Sequence, residues 1–233
     1  MTDDLWFRLA VFLGVTGFCF LGVVLACLWE KRPVQPYYVP AAGAEYKVSR
    51  KADRANHDAR NLGYRHGGLC HDGKGKLYRV RYDFWIAPDD ATIAVVGSGT
   101  IALIPVYGVW LWSRLVDGRI RCTTNEIGEQ DISGVVDQQT WPGLRLTALV
   151  EKHECLLTES LVEPFSHDAP LVGYFDIRRR RADALVEKGY AYYLDDERTA
   201  WRYTLKGAVV FYIVAAWTRR IRRWLRFVGL VRE

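Results

Sequence analysis

The sequence contains few of the residues from which catalytic and metal sites are built, and those present are scattered. Its five cysteines, at positions 19, 27, 70, 122 and 155, are an odd number and lack the spacing of a disulfide framework. They argue against a secreted disulfide domain and for a reducing compartment. Its five histidines match no zinc-ligand spacing, although His57, His66, Cys70 and His71 lie near one another in the chain. We therefore predict no catalytic residue, no metal site and no cofactor.

Two sequence motifs of known enzymes are present only in part. Gly68 to Lys74 fits G-x-x-x-x-G-K, but Gly75 stands where a phosphate-binding loop needs Ser or Thr to hold magnesium. No buried strand is predicted before it, so we expect residues 67–76 to be a glycine-rich turn entering a sheet. Ser98 lacks the G-x-S-x-G frame of a hydrolase nucleophile. An enzyme with an unrecognised site is kept as an alternative.

One long hydrophobic run is present at the N-terminus. Residues 5–29 read LWFRLAVFLGVTGFCFLGVVLACLW and contain a single charged residue, Arg8. A helix of about 20 apolar residues crosses the ~30 Å hydrocarbon core of a bilayer, so this run is predicted to be a transmembrane helix. Residues 1–4 form a short external N-terminus. A cleaved signal peptide is disfavoured because residues 1–4 are acidic rather than basic and the apolar core is too long.

The charges on either side of this run predict its orientation. Asp3 and Asp4 precede it, and a series of basic residues follows it: Lys31, Arg32, Lys47, Arg50, Lys51, Arg54 and Arg60. Basic residues are retained on the cytoplasmic side of a membrane. We therefore predict a single-pass protein of a cell inner membrane, with its N-terminus outside and its body in the cytoplasm.

The body is predicted to be α+β, with helices on an antiparallel sheet. A proline-rich linker, residues 30–45, leads into residues 46–164, with helices at 45–61 and 142–157. Residues 77–86 alternate apolar and polar side chains, which is typical of a strand with one buried face. The uncharged stretch 91–113 is predicted to form two strands with a hairpin turn at Gly97–Gly99. A hydropathy window leaves a second membrane span open as the alternative.

Residues 165–206 are predicted to form a helix at 175–188 followed by a hairpin. The hairpin has strands at 190–194 and 201–205, a turn at Asp195–Arg198 and a closing Thr204-Leu205-Lys206-Gly207. This order resembles the last third of a winged-helix domain. The resemblance implies, as an alternative function, a membrane-tethered DNA-binding protein. The net charge of +5 is compatible with it, but the acidic turn would repel phosphate.

The C-terminal segment, residues 207–233, is predicted to be a basic amphipathic helix lying in the membrane interface. Ile221, Trp224, Leu225 and Val228 fall on one helical face, and arginines fall on the other. This composition is typical of in-plane helices that bind anionic lipids. The predicted membrane-interface residues are Arg219, Arg220, Arg222, Arg223, Trp224 and Arg226.

Two segments resemble parts of uncharacterised bacterial single-span membrane proteins. They are residues 72–83, DGKGKLYRVRYD, and residues 201–207, WRYTLKG. The resemblance implies a bacterial inner-membrane setting and assigns no catalytic residue. Together with the hydrophobic run and the basic tail, it predicts a membrane-anchored interaction or accessory protein. Its partners would be the bilayer, anionic lipids and a protein that the sequence does not identify.

Overall fold

A computed structural model describes residues 24–34, 37–38, 49–72, 78–101, 104–126 and 130–214, with further positions at 6, 14, 17–18 and 20–22. The chain divides into two compact units. The central unit is residues 34–181, and the split unit combines residues 1–33 with residues 182–233. The described residues are α+β, as predicted.

The central unit is built on one mixed sheet. Its strands are β2 (Tyr37–Tyr38), β3 (Arg65–Asp72), β4 (Tyr78–Ile86), β5 (Ile93–Ile101), β6 (Ile104–Leu115), β7 (Ile120–Thr124), β8 (Val136–Thr140) and β9 (Val162–Glu163). Strands β2 to β8 lie side by side in chain order, and β9 pairs with the end of β6. Neighbouring strands are antiparallel except β7 and β8, which are parallel.

Helices cover both faces of this sheet. On one face, α2 (Arg50–Asn61) and α3 (Leu146–Leu157) pack on β4, β5 and β6. On the other face, the first turns of α4 (Pro170–Glu187) contribute Tyr174 and Ile177 to a second core cluster. The boundary between the two units falls inside α4, between Arg181 and Ala182.

Helix α2 is mostly exposed and turns only a narrow alanine face to the sheet. Ala52, Ala55 and Ala59 are buried there, whereas most of its charged side chains are exposed. Alanines allow the helix backbone to approach the strands closely. Ser49 caps its N-terminus by accepting a hydrogen bond from the Ala52 N–H at 3.2 Å, and Gly63 follows its end with a positive φ.

The first part of the glycine-rich segment 67–76 is not a turn, because residues 67–72 belong to β3, and residues 73–76 lie outside the described residues. The pairing of β3 with β4 shifts between His66 and Gly68, where a bulge forms and Gly68 has a φ of 136°. A Cβ on Gly67 would lie 2.9 Å from the Ile86 side chain. These glycines therefore serve a tight strand pairing.

The stretch 91–113 forms strands, as predicted, but its hairpin turn is not at Gly97–Gly99. Strand β5 runs through these glycines, and β5 and β6 pair as far as Ile101 and Ile104. Gly97 pairs with Gly108, and a Cβ on either would lie within 2.7 Å of the Trp110 ring. The two glycines make room for that ring.

Other element boundaries differ from the predictions by a few residues. Helix α3 begins at Leu146 rather than Pro142, and α4 begins at Pro170 rather than Phe175. Strand β8 was not predicted. The Asp117-Gly118 pair before β7 is typical of a type I′ turn, but this turn is of another type, because Gly118 has a positive φ and Asp117 does not.

The split unit brings the two ends of the chain together. Its described elements are helix α1 (residues 20–22 and 24–29, with single helical positions at 6, 14, 17 and 18), β1 (Arg32–Pro33), β10 (Ala191–Tyr193), β11 (Ala200–Tyr203) and α5 (Leu205–Tyr212). Strands β1, β11 and β10 form a small antiparallel sheet in that order. The predicted linker, residues 30–45, therefore forms strand pairs at two places. Strand β1 pairs within this small sheet, and β2 pairs within the sheet of the central unit.

Among the residues that the structure describes, no helix combines the length and the apolar composition needed to cross a membrane.

The closing Thr204–Gly207 motif joins the hairpin to α5, and it supports one prediction. Thr204 caps α5 by accepting a hydrogen bond from the Gly207 N–H at 3.1 Å, and a Cβ on Gly207 would overlap the backbone carbonyl oxygen of Tyr190. We expect Gly207→Ala to destabilise the split unit by about 2–3 kcal/mol, since backbone cannot yield as a side chain can. Faster limited proteolysis of the hairpin turn, residues 194–199, would report this loss.

The control for this substitution is Leu205→Ala, two residues earlier at an exposed position. It should leave cleavage of the turn near the wild-type rate. Equal rates for Gly207→Ala and the wild type would contradict the proposed overlap.

Candidate functional site

Helix α1 presents an unusual surface for a water-facing helix. Its large apolar side chains are exposed on one face: Phe18 is 79% exposed, Leu21 53%, Leu25 44% and Trp29 76%. These positions recur at helical spacing. On the same helix Val24 and Cys27 are buried. A helix that is apolar on both its buried and its exposed sides is suited to a membrane or to a further apolar partner.

The predicted interface residues of the C-terminal tail lie outside the described residues. Arg219, Arg220, Arg222, Arg223, Trp224 and Arg226 all follow residue 214, where the description ends. Helix α5 ends at Tyr212, and Ile213, which follows it, is half exposed. The amphipathic interfacial helix therefore stays a prediction.

The hairpin predicted within residues 165–206 is present as β10 and β11, and its turn is held by internal hydrogen bonds. The Asp195 carboxylate accepts hydrogen bonds from the Thr199 N–H at 2.6 Å and the Thr199 hydroxyl at 2.7 Å. These bonds lower the pKa of Asp195 and keep it charged. The turn thus carries a fixed negative charge, which is unfavourable for binding nucleic acid.

A buried polar network in the central unit has the composition of a hydrolase site. His153 on α3 lies between two hydroxyls of the sheet, with Nε2 2.9 Å from Ser113 Oγ and Nδ1 2.8 Å from Thr123 Oγ1. Ser113 Oγ also contacts Thr92 Oγ1 at 2.9 Å and donates to the Ala91 carbonyl oxygen at 2.8 Å. All four polar side chains are buried.

The direction of these hydrogen bonds determines what the network can do. A serine hydroxyl has one proton, and Ser113 donates it to the backbone. Ser113 therefore accepts from both Thr92 and His153 Nε2, and Nδ1 accepts from Thr123. A nucleophilic serine must instead donate to its histidine. The arrangement ties α3 to β6 and β7, ties β6 to the residues just before β5, and does not activate Ser113.

The protonation of His153 follows from its surroundings. Burial, and to a lesser extent the positive charge of Arg121, lower its pKa from 6.5 to about 4. The imidazole is therefore neutral near pH 7, with its one N–H on Nε2, where it donates to Ser113. This network was not predicted from the sequence, in which its one signal is a histidine on the apolar face of the helix predicted at residues 142–157.

A second polar cluster holds α2 on the sheet. The buried carboxylate of Asp83 accepts from Arg81 Nη2 at 2.7 Å and from Asn56 Nδ2 at 3.3 Å, and His66 Nε2 lies 3.9 Å away. Asn56 in turn accepts from the Trp85 indole N–H at 2.9 Å. Burial alone would raise the pKa of Asp83, but His66 and Arg81 outweigh it and the pKa is lowered. This charge is neutralised within the fold.

The thiols of the central unit divide into two kinds. Cys70 and Cys122 are buried on the face covered by α4, and burial raises the pKa of Cys70 to about 11. These two groups behave as small apolar side chains rather than as nucleophiles. Cys155, on α3, is exposed. It is a natural attachment point for a probe.

Across the described ranges, no group of three or more His, Cys, Asp or Glu side chains is placed so that it could hold a metal ion. No protein-family model matches the chain, and no curated protein or solved structure is significantly similar to it. The resemblance to bacterial single-span proteins therefore stays a prediction.

Proposed function

We propose that the protein is a membrane-anchored interaction or accessory protein of a bacterial inner membrane. Residues 5–29 would cross the bilayer once, with the N-terminus outside and the body in the cytoplasm. The observation that carries the anchor is the row of exposed apolar side chains on α1, Phe18, Leu21, Leu25 and Trp29. Exposing these groups to water is costly, and lipid removes that cost.

The polar groups of the central unit favour an interaction role over catalysis. Ser113 gives its proton to a backbone carbonyl, and Asp83 is neutralised by Arg81. Groups committed in this way stabilise the fold and are not available to a substrate. The body would then act through its surface, on a protein partner, while residues 219–226 hold it against anionic lipids.

The orientation can be tested with a membrane-impermeant maleimide, because the structure separates the reactive thiol from the buried ones. In intact spheroplasts Cys155 should stay unlabelled, and it should react once the membrane is opened. Peptide mapping of the labelled protein identifies which cysteine has reacted. Cys70 and Cys122 are internal controls, since both are buried and should react only after denaturation.

Two results would overturn the proposal. Labelling of Cys155 in sealed spheroplasts would place the body outside the cell. Steep, salt-dependent binding of duplex DNA by the full chain in neutral-lipid nanodiscs would instead favour the membrane-tethered DNA-binding alternative.

A further inference from the structure

The strap Glu30–Pro33 connects α1 to the C-terminal half of the split unit. Its last two residues are β1, which pairs antiparallel with β11 in the register Arg32 to Trp201 and Pro33 to Ala200. Two residues form a short pairing. Backbone pairing of that length is weak, so a side chain must supply most of the attachment.

Arg32 supplies it by lying among three aromatic rings. Its guanidinium carbon is 4.9 Å from the centre of the Tyr203 ring, 5.5 Å from that of Trp201 and 5.7 Å from that of Phe211. The rings are themselves in contact, with Trp201 edge-on to Tyr203 and Tyr203 stacked on Phe211. Ring faces attract a planar cation, and more strongly where water is excluded.

The remaining charge of Arg32 is balanced from within the strap. Glu30 Oε2 accepts from Arg32 Nη2 at 2.7 Å. Tyr203 and Trp201 are buried, so the contact is largely shielded from water. The same hairpin offers a comparison, since Arg198 lies 5.5 Å from the Tyr193 ring but is well exposed.

We infer that the strap attaches the end of α1 to the hairpin and α5, and that the Arg32 side chain provides most of this attachment. We call this contact the latch. The latch joins two segments of the chain that are separated in the sequence by the whole central unit. It fixes the direction in which the chain leaves α1. The latch requires only residues 30–33 and 200–211; its consequence for the membrane rests on the anchoring proposed above.

Hydrogen exchange of the full chain in lipid nanodiscs tests the latch. Arg32→Gln should speed exchange of the β10 and β11 amides by about tenfold. Arg32→Lys keeps the charge but loses the planar stacking, and should fall between Arg32→Gln and the wild type. The matched control, Arg198→Gln, should change exchange by less than about twofold, as expected for an exposed contact. The amides of β5, in the central unit, should not change.

Two results would overturn the latch: unchanged exchange in Arg32→Gln, or equal acceleration in Arg198→Gln. If Arg32→Gln also speeds exchange of the β5 amides, the variant is misfolded as a whole and Phe211→Leu becomes the test of the latch. This substitution removes one ring and retains an apolar side chain. It should speed exchange of β10 and β11 alone, and no change would count against the latch. A failure of the proposed membrane anchoring is distinguishable from a failure of the latch. The protein would then remain outside the nanodiscs, while the variants would still differ in exchange as described above.

Discussion

Replacing Leu21 and Leu25 by arginine should release the protein from the membrane fraction. Both side chains are exposed on α1, so the substitutions break no packing within the fold. An arginine near the centre of a membrane helix costs about 2.5–3.5 kcal/mol; Leu21 lies near the centre and Leu25 nearer the end, so the pair opposes insertion by more than about 3 kcal/mol. Flotation of the protein synthesised in the presence of vesicles measures the membrane-bound fraction.

The control for this experiment is a pair of equally exposed apolar residues elsewhere. Val116 and Leu161 lie on the central unit and are 64% and 79% exposed. Arginine at these two positions should leave the floating fraction unchanged. If both pairs of substitutions behave alike, α1 is not the anchor and its exposed face must be covered by something other than lipid.

The second large effect concerns His153 and pH. The unfolded chain binds a proton at this histidine near pH 6.5, whereas the folded protein excludes it down to about pH 4. The unfolded state therefore holds more protons in this window, and the free energy of unfolding should fall as pH drops through it. The shift corresponds to a loss of about 3 kcal/mol, complete near pH 4 and absent above pH 6.5.

Urea denaturation of the full chain in mild detergent, at a series of pH values, measures this loss. His153→Gln can still bond Ser113 and Thr123 but cannot titrate, so its stability should fall less between pH 6.5 and 4. His153→Ala leaves the Thr123 hydroxyl without its acceptor and opens a cavity, and should cost about 3 kcal/mol at pH 7. His57→Gln, at an exposed position on α2, is the control. The same pH slope in His153→Gln and the wild type would exclude His153 as the source.

Local patterns predicted those parts of the fold that depend on local chemistry. Alternation in residues 77–86 predicted β4, although Asp83 and Phe84 show that both of its faces are buried, and the Asp195–Arg198 turn was placed correctly. The errors arose where a distant residue decides the local structure. Gly97 resembles a turn residue until Trp110 is seen to occupy the space that its side chain would fill.

The buried network shows the same limitation more strongly. The network combines residues from three strands or their edges with one residue from a helix: Thr92, Ser113, Thr123 and His153. These side chains meet only if every strand is in register. A shift of one residue would turn each hydroxyl to the opposite face. Spacing along the chain therefore could not predict the network, although His153 does share a helical face with Leu146, Leu149 and Val150.

The pairing of β1 with β11 also sets the order in which the molecule can be completed during synthesis. About 170 residues separate Arg32 from its partner Trp201. At ribosomal speeds of about 5–20 residues per second, the strap waits roughly 10–30 s before that partner exists. The strands of the central unit are all translated within this interval. The small sheet therefore closes only after all the central strands exist, and a chain truncated before residue 200 would retain the central strands but have no partner for its strap.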